Sequence, residues 1–137
     1  MNGKTRVLIV EDEIPLAMFM VSVLTRFHCD VTVARTGEKA MKLAAEQRYD
    51  LITLDIGLPD TTGFVVCSSL KERHISYKTP VIFIAASNCQ QDQSEAWKLG
   101  AVDYLPKPFD VTEFVYKVIY FGRAQHLVRL EPEGLAA

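Results

Sequence analysis

The chain lacks most of what would mark a secreted, metal-stapled or membrane protein. Its three cysteines, Cys29, Cys67 and Cys89, are odd in number, widely spaced and form no CxxC pair. That excludes a disulfide framework or a zinc site from expectation, and reduced, packed thiols suit a cytoplasmic setting. The histidines His28, His74 and His126 fall one to a segment, so no histidine metal cluster is expected. The longest nearly uncharged stretch, residues 14–25, falls short of the roughly 20 apolar residues that cross a bilayer. The opening residues 1–6 are basic but lead only into a short apolar run that stops at acids, which is not signal-peptide grammar. A net charge of −2 gives no general reason to expect nucleic acid or a membrane surface as partner. Internal repeats and low-complexity segments are also missing. With 137 residues, 49% of them apolar, the chain is sized for one globular domain with a single core.

What is present centres on residues 50–63. Leu51-Ile52-Thr53-Leu54 is a short apolar run, too brief for a helix and suited to a buried parallel strand. It ends in a carboxylate, Asp55, followed by a loop in which Gly57, Pro59, Asp60 and Gly63 supply turn geometry. Around it the chain alternates. Strands are expected at Val7–Val10, Asp30–Ala34, Pro80–Ala85 and Val102–Leu105. Helices are expected over residues 14–28, after Thr36-Gly37-Glu38, from Phe64 to Arg73, around Ala96-Trp97 with Gly100 closing it, and over 111 to about 122. Five βα units with short links predict a doubly wound α/β domain with a five-stranded parallel sheet, helices on both faces and right-handed crossovers. The domain is expected to occupy residues 1–123, and 124–137 to be a helix extension running into a flexible tail.

A parallel sheet gathers the C-terminal ends of its strands on one edge. There the order of elements places Glu11 and Asp12, Asp55, and Lys107 of Pro106-Lys107-Pro108. Carboxylates packed together repel and lose water at a cost, which a hard divalent cation relieves; oxygen ligands with room for water suit magnesium. A lysine nearby supplies a point charge for phosphoryl oxygens, with Asp55 as the nucleophile. Asp60 and Asp103 read as turn or surface residues, and Trp97 as half-buried helix packing.

Three segments carry a resemblance: Val7-Leu8-Ile9-Val10-Glu11-Asp12-Glu13, residues 50–63, and Asp103-Tyr104-Leu105-Pro106-Lys107-Pro108-Phe109. In this order and spacing the chain, from residue 5 to about 122, resembles the receiver domain of two-component response regulators. The resemblance implies the flavodoxin-like strand order 2-1-3-4-5. It also implies that Asp55 accepts a phosphoryl group from a histidine kinase or a histidine phosphotransfer protein. Asp12 would hold Mg2+ directly, Glu11 through water, and the Gly57 backbone carbonyl would add a ligand. Lys107 would contact the acyl phosphate, the Lys107-Pro108 bond would be cis, and Tyr104 would be the aromatic partner of the switch.

One position departs from that pattern. Ala85 stands where the family carries a threonine or serine, so a charge-assisted hydrogen bond worth roughly 1.5–3 kcal/mol is absent. That is enough to shift a two-state switch by tenfold or more. Ser87, two positions on, is the alternative source of that hydroxyl, but is read as the cap of the fourth helix. The alternative reading is thus a degenerate receiver, a docking module independent of phosphorylation. A magnesium phosphohydrolase would want a second acid two residues after the nucleophile, where this chain has Gly57. A flavin carrier would want a hydroxyl- and glycine-rich loop where this chain has Glu11-Asp12-Glu13. The expected role is a signalling module, not a turnover enzyme. Met18, Phe19 and Met20, with Tyr116, Tyr120 and Phe121, are too many apolar residues for one buried face. Some of these are therefore expected to bury against another protein, and the resemblance implies partner docking on the first helix and a homodimer through helices 4 and 5.

Overall fold

The structure, a computed structural model, describes residues 3–75, 78–86 and 88–130. Its elements run β1 (Thr5–Val10), α1 (Ile14–Thr25), β2 (Cys29–Ala34), α2 (Gly37–Glu46), β3 (Leu51–Asp55), α3 (Gly63–Glu72), β4 (Val81–Ala85), α4 (Gln90–Lys98), β5 (Asp103–Pro106) and α5 (Val111–Leu130). All strand pairs are parallel, in the order β2-β1-β3-β4-β5. β3 and β4 are buried at every position, as a central parallel strand covered on both faces must be.

Strand alternation divides the core into two layers. Leu8, Val10, Ile52, Leu54 and Phe83 pack with Ala40 and Ala44 of α2, Val66 and Leu70 of α3, and Ala96 of α4. On the other face Val7, Ile9, Leu51, Ile82 and Ile84 meet Met20 and Leu24 of α1 and Phe114, Val115 and Val118 of α5. Met20 is therefore core, while Met18, Phe19, Tyr116 and Tyr120 stay exposed.

Helix ends account for most departures from the expected boundaries. α1 stops at Thr25, three residues early, and His28 turns the chain with φ 66° in the left-handed region. Gly100, with φ 86°, closes α4 as expected. Cys89 caps α4, its sulfur accepting from the Asp92 N–H at 3.4 Å; Ser87, the cap expected, lies outside the described residues. α5 runs on to Leu130 instead of ending near 122, and residues 131–137 of the expected tail lie outside the described residues. The extension is packed in part. His126 is buried, its Nδ1 lying 3.2 Å from the fully buried Asp50 carboxylate, which also accepts the Arg6 N–H at 2.8 Å.

The loop after Asp55 is tied at two points. The Asp60 carboxylate accepts the N–H groups of Gly37 (2.8 Å) and Glu38 (3.0 Å) at the start of α2, and these bonds hold its pKa below the ordinary value. Gly63 opens α3 with its N–H on the Ile56 carbonyl at 2.8 Å, so close to β3 that a Cβ there would collide with the Asp55 carbonyl. Backbone cannot swing aside as a side chain can. Gly63→Ala is therefore expected to destabilise the fold by about 1–3 kcal/mol, read as a fall in the urea midpoint with the slope unchanged.

Candidate functional site

The C-terminal edge of the sheet brings together the acids expected there. β1 runs directly into Glu11, whose N–H bonds the Ala34 carbonyl of the neighbouring strand, and β3 ends in Asp55. Ligand oxygens of Glu11, Asp12 and Asp55 all lie within 4.8 Å of one another. Among the described residues no other histidine, cysteine or acid group converges in this way. Glu11 is 1% exposed and Asp55 5% exposed, so both carboxylates have given up most of their water.

Lys107 answers this charge. It follows β5, is positioned by its N–H on the Ala85 carbonyl (2.7 Å), and precedes a cis bond to Pro108, as expected. Its ammonium lies 3.1 Å from Glu11, 3.2 Å from Asp55 and 3.2 Å from Glu13. Burial alone would lower the pKa of Lys107; the charges of Asp55 and Glu11 outweigh it and push the pKa up. Burial pushes the Glu11 carboxyl up from its ordinary 4.5, the Asp55 charge adds to this, and the Glu13 N–H and Lys107 oppose it. Glu11 Oε1 takes no hydrogen bond from the described residues, although Lys107 sits within ion-pair distance of it. A buried oxygen with spare lone pairs, in an all-oxygen donor set of net negative charge, fits a hard divalent cation such as Mg2+.

The cleft above these groups measures about 390 Å³ and is lined by Asp12, Glu13, Asp55, Gly57, Ala85, Ala86, Asp92 and Lys107 among others. Gly57 thus stands beside the acids as expected, its N–H donating to Asp55 Oδ1 at 3.2 Å. Ala85 lies at the cleft wall and offers only a methyl group. Tyr104 is buried, away from the cleft lining, and burial with the Asp92 charge raises its phenol above 10.0. Asp103 is partly exposed and pairs with Lys117 at 2.9 Å. Sequence reasoning missed two cleft residues. Glu13 was signalled only by standing next to Glu11 and Asp12, and Asp92 by nothing, since the register of α4 against the sheet depends on its loop.

The sequence profile of the response regulator receiver domain matches residues 7–119. The chain belongs to the response regulator receiver family. As a receiver domain of two-component systems it is a phosphoacceptor signalling module. It is 35% identical over 121 residues to the response regulator ArlR of Staphylococcus saprophyticus, covering 88% of this chain and 54% of that protein. To the heme response regulator HssR of Staphylococcus aureus it is 33% identical, covering 81% of this chain and 48% of the relative. This receiver thus spans about half the length of the relatives it matches. Among solved structures, the receiver domain of the Francisella response regulator 1452 superposes with a TM-score of 0.82 at 30% identity, covering 88% of this chain and 98% of that one. The receiver domain of the sensor histidine kinase PA1611 from Pseudomonas aeruginosa, solved with magnesium coordinated in its active site cleft, gives 0.78 at 28% identity, covering 87% and 97%. No helix among the described residues is long and apolar enough to cross a membrane.

If Glu11, Asp12 and Asp55 hold a cation, folding and metal binding are linked. Mg2+ at a hundredfold excess over its Kd should stabilise the protein by about 2.7 kcal/mol, seen as a rise in Tm that Asp12→Asn abolishes. Metal takes the ionised carboxylate, and protons compete for it. Because the pKa of Glu11 is raised, that stabilisation should start to fade, as pH is lowered, above the range of an ordinary glutamate.

Proposed function

We propose that Asp55 is the phosphoacceptor of this receiver and that Glu11, Asp12 and the Gly57 carbonyl hold Mg2+ beside it. The observation that carries this reading is the placement of Lys107 against Asp55 at 3.2 Å, next to the three converging acids. A bound Mg2+ would neutralise part of the charge on the transferred group. Asp55 would attack the phosphorus of a phosphohistidine, so that an O–P bond forms as the N–P bond breaks and the imidazole leaves with the electron pair. Gly57 N–H holds Asp55 Oδ1, which leaves Oδ2, on the Lys107 side, oriented for attack. Lys107 then follows the negative charge from the carboxylate to the phosphoryl oxygens. The donor is a histidine kinase or a histidine phosphotransfer protein, and the module signals through contacts in the cytoplasm without turning over a substrate.

For the phosphoryl donor the favoured docking surface lies between α1 and α5. Val23, Phe27, Val115, Ile119, Tyr120 and Leu127 line an apolar groove of about 760 Å³, with Arg26 and Arg123 also along it. Tyr116 and Tyr120, stacked with centroids 6.2 Å apart, belong to this groove. Self-association through α4 and α5 draws on a smaller apolar feature, the half-exposed Trp97.

Intact mass after incubation with Mg2+ and acetyl phosphate tests the chemistry. A single phosphoryl adduct is expected, dependent on Mg2+ and absent in Asp55→Asn. No adduct on the wild type would overturn the reading. The Ala85 methyl bears on the conformational response to phosphorylation. Ala85→Thr should leave the adduct in place and enlarge the phosphorylation-dependent change in Trp97 fluorescence, the switched population rising by tenfold or more for a bond of about 1.5–3 kcal/mol.

A further inference from the structure

Lys107 has three N–H donors, and three carboxylates surround them: Glu11, Asp55 and Glu13. These acids differ in one respect. Glu11 and Asp55 belong to the converging oxygen cluster, and Glu13 does not. Glu13 is also free of the duty its position suggests. It stands at the N-cap of α1, yet its side chain accepts no helix N–H and reaches instead to Lys107, at 3.2 Å. It lines the same cleft as Asp55 and is 63% exposed, where a competing anion can reach it.

We propose that Glu13 is a positioning residue for phosphoryl entry, a counter-ion that retains the Lys107 ammonium until the phosphoryl group displaces it. The proposal rests on Asp55 being the phosphoacceptor. A cation drawn to Glu11, Asp12 and Asp55 offsets the charge of two of the three partners of Lys107, and leaves Glu13 as the one outside the cluster. An incoming phosphoryl group needs the same ammonium, carries the same sign of charge as Glu13, and enters the cleft that Glu13 lines. Glu13 therefore slows entry in two ways: it occupies a donor of Lys107, and it repels the anionic donor. Once Asp55 carries the phosphoryl group, Lys107 turns to its oxygens and Glu13 is released to solvent. No bond to Glu13 forms or breaks; its role is electrostatic.

An exposed ion pair is a modest force, and the effect should be correspondingly modest. Glu13→Gln should be phosphorylated by acetyl phosphate on the order of two- to fivefold faster than wild type at low salt. The gain should lie in the dependence on donor concentration more than in the saturating rate, and should shrink as added salt screens the cleft. Glu13→Asp, which keeps the charge, should return toward the wild-type rate. A second readout needs no chemistry: in metal-free protein, the Lys107 ammonium resonance should move in Glu13→Gln. An equal or slower rate in Glu13→Gln, a gain that salt leaves unchanged, or an unmoved Lys107 resonance overturns the proposal. The two readings separate cleanly in the same mass assay. A wild type that forms no adduct overturns the assignment of Asp55 and this proposal with it. A wild type that forms one, with Glu13→Gln no faster, overturns this proposal alone.

Discussion

The arrangement depends on one electrostatic constraint: more carboxylate than ammonium at the C-terminal edge of a parallel sheet. Glu11 and Asp55 are nearly buried, and each costs solvation that a single Lys107 offsets in part. Buried like charges of this kind are tolerated where function needs them. The surrounding structure holds them against their repulsion. β1 and β3 are adjacent and parallel, so their C-terminal ends deliver Glu11, Asp12 and Asp55 to one place. β5 is two strands from β3, with β4 between them, and Lys107 must bridge that distance over the end of β4. The bond from its N–H to the Ala85 carbonyl sets it there.

The loop after Asp55 shows how the same constraint is met in the backbone. Asp60 fastens it to the start of α2, and Gly63 lets α3 begin directly against the Asp55 carbonyl. Ahead of both anchors in the chain, Gly57 stands at the cleft with its N–H on Asp55. The acids are thus framed by α2 and α3 on one side of the sheet and by the start of α1 on the other.

Much of this was legible in the sequence, for a physical reason. Buried parallel strands are near-continuous apolar runs, and β1 and β3 stop at residues that cannot stay buried cheaply, so Asp55 and Glu11-Asp12 mark their own positions. Lys107 was legible because two prolines fix its place just after β5. Helix ends were less so. The stop of α1 at Thr25 rests on the left-handed turn at His28, a residue with no glycine signal. The cap of α4 fell to a cysteine, a residue type that caps weakly, and Asp92 reached the cleft only through that register. One long-range pair left no trace. Nothing local in the sequence joins Asp50 to His126, 76 residues apart.

That last pair changes what a minimal version of this domain would be. The sequence pattern places the end of the domain at residue 123, with a helix extension and a tail after it. His126 lies beyond that point, and its ring covers the carboxylate at the root of β3. A chain ending at 123 would lose that imidazole from beside Asp50, at the root of the strand that presents Asp55. A chain that keeps α5 through Leu127 keeps the imidazole against Asp50, so one histidine ties the last helix to the root of the central strand.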